Sequence, residues 1–168
     1  MQVKKLIRVL DIGCLKGQAI IELSRLHPRV ECHGLSLRRE PDWRGHKNIF
    51  WKVGHAEKLR YPARYFDFVY SYFGETHVQD IGVALKELNR VLKRKGKAVI
   101  NFQTSNLLNL VPLELNGRGT GNLGLDMFII FEMHGFKVMN KSATAVGGIQ
   151  TYNFYVQKHH KSSRRLPK

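Results

Sequence analysis

The chain has 168 residues, 43% hydrophobic and 24% charged. That is one domain with enough apolar material for its own core, and it excludes a disordered chain. Lys and Arg number 28 against 13 Asp and Glu, a formal net charge of +15, which favours an anionic partner and says nothing about fold. Two cysteines, Cys14 and Cys32, exclude a disulfide framework and fit a reducing, intracellular setting, most simply the cytoplasm. No apolar run approaches the roughly 20 residues of a membrane span, and residues 1–10 show no secretory signal, so no membrane partner is expected.

Along the chain, Ile7–Leu10 is a short β-rich run ending in Asp11-Ile-Gly13-Cys-Leu15-Lys-Gly17. A helical face of Ala19, Ile20, Leu23 and Leu26 follows and stops at Pro28. Val30–Leu37 and Ile49–Val53 read as strands separated by a polar loop, and Phe66–Ser71 is continuously apolar, as a strand covered on both faces should be. Ile81, Ala84, Leu85, Leu88, Val91 and Leu92 form one stripe at a 3.6-residue period. Lys93-Arg-Lys-Gly96 reads as its C-cap, with cations at the negative end of the dipole and a left-handed glycine.

Lys97–Phe102 is a fifth strand and residues 103–120 are irregular. Leu123–His134 is helical in pattern and closes at Gly135; Phe136–Met139 and Tyr152–Gln157 are the last strands. The organisation expected is one domain over 1–157 and a basic, disordered tail over 158–168, which holds five Lys or Arg and no acid. Strands alternating with helices imply βαβ units and a mostly parallel sheet, whose ligands sit beyond the carboxyl ends of the strands.

The Gly-rich strand-to-helix turn at 11–17 allows close backbone approach and offers free N–H groups to an anionic group, although such a turn can also be only a turn. With three further segments it forms a set that resembles the class I S-adenosylmethionine-dependent methyltransferases, in particular the type 11 family. The segments are Val9-Leu-Asp-Ile-Gly-Cys14, Gly54-His-Ala-Glu-Lys-Leu59, Phe66-Asp-Phe-Val-Tyr-Ser71, and Ala84–Lys93 with Gly96. His77-Val78 stands where that family often has a His-Val pair. The resemblance covers roughly residues 6–102 and implies a three-layer α/β/α Rossmann-like fold with a seven-stranded, mostly parallel sheet.

The resemblance also implies roles. Asp11, Gly13, Cys14 and Gly17 would surround the methionyl part of S-adenosylmethionine. Ser36 would face its ribose, His55 and Ala56 would flank its adenine, and Ser71 would sit beside the sulfonium. Three positions depart from the family pattern: Leu15 replaces a glycine, Ser36 replaces the acid that accepts the ribose hydroxyls, and His55 replaces an Asp. Losing a charge-assisted pair costs on the order of 1–3 kcal/mol. The first strand also begins close to Met1, where family members usually carry covering helices.

Plainer readings stand beside the functional ones. His77 is a candidate general base or a surface residue before the long helix, and Glu75 a candidate acid–base group or a solvated carboxylate. Cys14 reads as a small buried turn residue. Tyr70, Tyr72 and Phe73 can stack a base or belong to the core, and Arg118 among glycines can bind phosphate or lie in a linker. Zinc spacing, a Pro-Cys pair and an Asn/Asp-Pro-Pro-aromatic motif are absent from the sequence, and no metal is expected. The function expected is an S-adenosylmethionine-dependent methyltransferase acting on, or bound to, RNA or a ribonucleoprotein. The alternatives are a catalytically degraded domain serving as an RNA- or ribosome-binding scaffold, and a small-molecule methyltransferase.

Overall fold

The computed structural model describes residues 6–40, 43, 45, 46, 48–72, 78–103, 123–146 and 149–159. In them the chain runs β1 (Ile7–Ile12), α1 (Gln18–Leu26), β2 (Val30–Ser36), β3 (Ile49–Val53), β4 (Phe66–Tyr72), α2 (Ile81–Val91), β5 (Leu92–Gln103), α3 (Leu123–Met133), β6 (Phe136–Val146) and β7 (Ile149–Lys158). One sheet results, in the order β3-β2-β1-β4-β5-β7-β6. The first five strands pair in parallel, and β7 lies antiparallel between β5 and β6. Strand order reverses between β1 and β4, so a crevice is left beyond their carboxyl ends.

Residues on alternate sides of each strand build the two outer layers. Leu10, Ile12, Leu35, Val69 and Ile100 face α2 and α3 in one large core that also holds Leu85, Leu88, Phe131 and Phe154. Cys32 and Ile49 face Ile20 of α1 in a smaller one, with Trp51 packed against it. The stripe expected along α2 is buried at every position, and Asp80 begins the helix by accepting the Val83 N–H at 2.9 Å. In α1 the buried face is narrower than expected: Ile20 and Ser24 are inside, whereas Leu26 is 68% exposed.

The end of α2 corrects the sequence expectation. Leu92 turns extended at φ −71°, ψ 137°, and Lys93–Gly96 loop out within β5, since Phe66 pairs Leu92 while Phe68 already pairs Lys97. The left-handed residue is Lys95 at φ 59°. Gly96 is needed for space instead, because a Cβ there would lie 2.9 Å from the Lys93 carbonyl oxygen. The carbonyls of Asn89 and Leu92 are taken by the ammonium of Lys158, a residue expected in the tail but placed in β7. β6 and β7 are both longer than expected; β6 carries exposed polar and small residues at its far end and is held there by its ladder to β7. Phe73, Glu75, His77, Arg118 and residues 160–168 lie outside the described residues.

Two charged clusters tie segments distant in sequence together. Glu31 accepts from Arg8 Nε (2.9 Å), His33 Nε2 (2.8 Å) and Tyr65 OH (2.8 Å). Burial opposes its ionisation, but the bonds from His33, Tyr65 and Arg8 outweigh that and hold its pKa below the ordinary value. Arg90 donates to the carbonyls of Tyr61 and Leu59, both at 2.7 Å, and to Glu87, which also accepts the Leu59 N–H at 2.8 Å. This pins the chain after β3 onto α2.

Glycine supplies room at one further place. A Cβ on Gly34 would lie 2.5 Å from the Trp51 ring and 3.0 Å from Cys14 Sγ, whereas one on Gly54 would meet only Leu35 Cδ1 at 3.4 Å. Gly34→Ala is therefore expected to lower unfolding free energy by about 1–3 kcal/mol, and Gly54→Ala to stay within about 0.5 kcal/mol. Urea denaturation of both variants checks the contrast, and equal effects would contradict the packing.

Candidate active site

β1 delivers Asp11 to the crevice at the strand-order reversal, where it pairs in register with Tyr70 of β4. The chain then hooks over the end of β2: Gly13 and Cys14 donate their N–H groups to the Leu35 carbonyl at 2.8 and 3.1 Å. Gly13, Leu15 and Gly17 all take left-handed backbone, at φ 84°, 44° and 76°. For Leu15 that is a strained conformation, costing on the order of 1–2 kcal/mol.

Two tryptophans hold this turn. Trp51 of β3 sits against the backbone of Gly17 and Gly34; a Cβ on Gly17 would lie 2.3 Å from its ring. Trp43 stacks on it, with centroids 4.6 Å apart and planes 9° from parallel, and donates Nε1–H to the Leu15 carbonyl at 2.8 Å. The space behind the glycines is thus filled by the chain's own ring, and Leu15 projects outward, 43% exposed.

In front of the turn lies a cavity of about 400 Å³, lined by Asp11, the 13–19 segment, Arg38, Glu40, Tyr70 and Tyr72. Burial pushes the Asp11 carboxyl up to about 7, so a proton is half-retained near neutrality. Burial also pushes the Cys14 thiol far up, with Asp11 and Glu40 adding to it, so Cys14 is an inert packing residue. Burial raises the Tyr70 phenol too, with Asp11 contributing. Glu40 Oε1 accepts from Arg38 Nε at 2.9 Å.

The structure brings Asp11, Gly13, Cys14 and Gly17 together at this cavity; Ser36, His55, Ala56 and Ser71 are not among its lining residues. Ser36 is buried at the end of β2 and its carbonyl accepts the Gly54 N–H at 2.9 Å. His55 is exposed, and Ala56 is packed in the large core. Ser71 is fully buried and its Oγ lacks a hydrogen-bond partner among the described residues. Glu75 and His77 fall outside those residues.

Tyr70 and Tyr72, readable from the sequence either as core or as stacking residues, line the cavity. Sequence reasoning missed Glu40, Arg38 and the tryptophan pair. Glu40 is an acid four residues past the end of β2 in a basic loop, a signal that was available; the pairing of Trp43 with Trp51 was not. Among the described residues, no cluster of three or more His, Cys, Asp or Glu side chains is placed to hold a metal, and no helix is long and apolar enough to cross a membrane.

A profile of the methyltransferase domain family matches residues 10–100, more than half the chain and spanning β1 into β5. The chain belongs to this family, the type 11 class I S-adenosylmethionine-dependent methyltransferases. A demethylmenaquinone methyltransferase of Staphylococcus carnosus is 37% identical over 106 residues, 59% of this chain and 44% of that protein. YcgJ, an uncharacterised methyltransferase of Bacillus subtilis, is 31% identical over 102 residues, 55% of this chain and 39% of its own length. Its crystal structure superposes with a TM-score of 0.67 over 95% of this chain and 94% of that one, at 17% identity. The Burkholderia thailandensis 1,6-didemethyltoxoflavin-N1-methyltransferase, solved with S-adenosylhomocysteine, gives 0.67 over 93% and 72% at 14% identity. The sequence matches span under half the length of these curated relatives.

Trp43→Phe keeps the ring stack of this methyltransferase-family domain and removes the bond to Leu15. Stability is expected to fall by about 1 kcal/mol, read by urea denaturation; a larger loss for Trp43→Ala, about 3–5 kcal/mol, separates packing from hydrogen bonding.

Proposed function

We propose that the chain is an S-adenosylmethionine-dependent methyltransferase acting on RNA or on an RNA-bound substrate. The observation that carries the first half is Asp11: a buried carboxyl with a pKa raised to about 7, set beside the open first turn of α1 in a cavity of about 400 Å³ at the strand-order reversal. That donor set suits a zwitterionic methionyl end, with Asp11 toward its ammonium and the N–H groups at the start of α1 toward its carboxylate. A cavity of this size is in the range that holds a small-molecule cofactor.

S-adenosylmethionine supplies a methyl group on a sulfonium, and the protein's part is to hold it in line with the acceptor. Gly13, Cys14 and Gly17 shape the turn that holds the methionyl end. Ser36 offers only a hydroxyl at the ribose, and Glu40, which reaches the same cavity, supplies the carboxylate there in this reading. His55 and Ala56 are proposed at the adenine and Ser71 near the sulfonium, with Glu75 and His77 as the acid–base candidates. The net charge of +15 supports RNA on the acceptor side. A second reading, a scaffold that has lost catalysis, is favoured by the missing acid at Ser36 and the exposed His55.

Calorimetric titration with S-adenosylmethionine separates the two: the enzyme reading expects a Kd below about 100 µM, and no binding at millimolar cofactor would overturn it. The pH dependence is specific. Below about 7 Asp11 holds a proton in the free protein, and the cationic ligand favours its carboxylate. Affinity should therefore rise as pH rises through 7, and Asp11→Asn should bind weakly with a flat profile. Glu40→Gln should weaken binding about tenfold, the equivalent of about 1.4 kcal/mol, without changing that profile.

A further inference from the structure

At the other pole of the domain, where the parallel strands begin, a second cavity of about 500 Å³ opens between the C-terminal ends of α2 and α3. Arg64, Lys86, Arg94 and Lys158 line it, against the single carboxylate of Glu132. The acids nearest along the chain are engaged elsewhere: Asp67 pairs with Lys93, and Glu87 with Arg90 at 2.6 Å. Arg64, Lys86 and Arg94 form no ion pair among the described residues.

Lys158 shows how uncompensated this charge is. Its ammonium already satisfies α2, donating to the carbonyls of Asn89 and Leu92. Burial lowers its pKa, and the guanidiniums of Arg64 and Arg94 lower it further. Like charges are thus crowded where an anion would relieve them. Arg64 is also held at a left-handed φ of 57°, a backbone cost accepted at a cationic position of the lining.

We propose that this cavity and its rim bind the phosphate backbone of RNA, anchoring it at the pole opposite the Asp11 cavity. The proposal deepens the reading of an RNA acceptor by naming where the strand is gripped, and it does not depend on cofactor binding. A polymer fits better than a lone phosphate. Arg64, Lys86 and Arg94 are exposed rather than closed into a cage, and the exposed Lys95 follows Arg94 in the chain. Phosphate contacts of this kind position a nucleic acid without reading its bases.

The test uses the full chain and a labelled single-stranded RNA of about 20 nucleotides, followed by fluorescence anisotropy across a salt series. The double variant Lys86→Glu/Arg94→Glu changes two exposed side chains and should bind at least roughly tenfold more weakly, with a salt slope shallower by about 1 to 1.5. Arg25→Glu/Arg29→Glu changes net charge equally on the α1 side and should bind within about twofold of the parent. Equal losses in the two double variants, or no salt-dependent RNA binding by the parent, would overturn the proposal. Displacement of the RNA by millimolar inorganic phosphate, or by polyglutamate as readily as by unlabelled RNA, would overturn it in favour of a small-anion or acidic-protein site. Thermal melts confirm that the variants stay folded. Titrating them with S-adenosylmethionine keeps the two readings apart: RNA loss with unchanged cofactor affinity supports this site, and RNA binding at the cavity without any cofactor binding supports it while removing methyl transfer.

Discussion

The contact on which this structure turns is a tryptophan ring laid against two glycines. Trp51 occupies the volume that side chains at Gly17 and Gly34 would need, so its ring lies directly against the backbone of the β1–α1 turn and of β2. Trp43 seals the ring from the other side and is tied to the turn through the Leu15 carbonyl. That stack leaves the turn one conformation, with three left-handed residues in five, and the energy of burying two large rings outweighs the strain at Leu15. Because the space behind the turn is full, the cavity opens in front of it, beside Asp11.

Electrostatics divides the domain into two unlike ends. Asp11 is a buried carboxyl, and desolvation moves it toward the protonated form. At the opposite end Arg64, Lys86, Arg94 and Lys158 share a cavity with the single carboxylate of Glu132, while Asp67 pairs with Lys93 and Glu87 with Arg90.

The chain between α2 and β5 shows how such an end is built. Six residues on β5, Leu92–Lys97, oppose three on β4, Phe66–Phe68, so Lys93–Gly96 must bulge. Close backbone approach demands glycine at 96, and the left-handed residue falls one position earlier on Lys95. A helix C-terminus that local sequence would cap is instead capped by Lys158, 66 residues beyond Leu92 in the chain.

By itself the sequence determined the order of elements, the mostly parallel sheet, the stripe of α2 and the Asp11–Gly17 turn. Each is written in nearest-neighbour terms: a period of two or of 3.6, a proline, a glycine before a helix. It determined Gly13, Cys14 and Gly17 as parts of one loop for the same reason. Only the tertiary structure decided that Glu40 and the two tyrosines of β4 line the cavity at that loop, that Ser71 is fully buried, and that Arg64, Arg94 and Lys158 converge. Those facts depend on strand pairing and side-chain direction between segments distant in sequence, where a one-residue change of register moves a side chain to the opposite face.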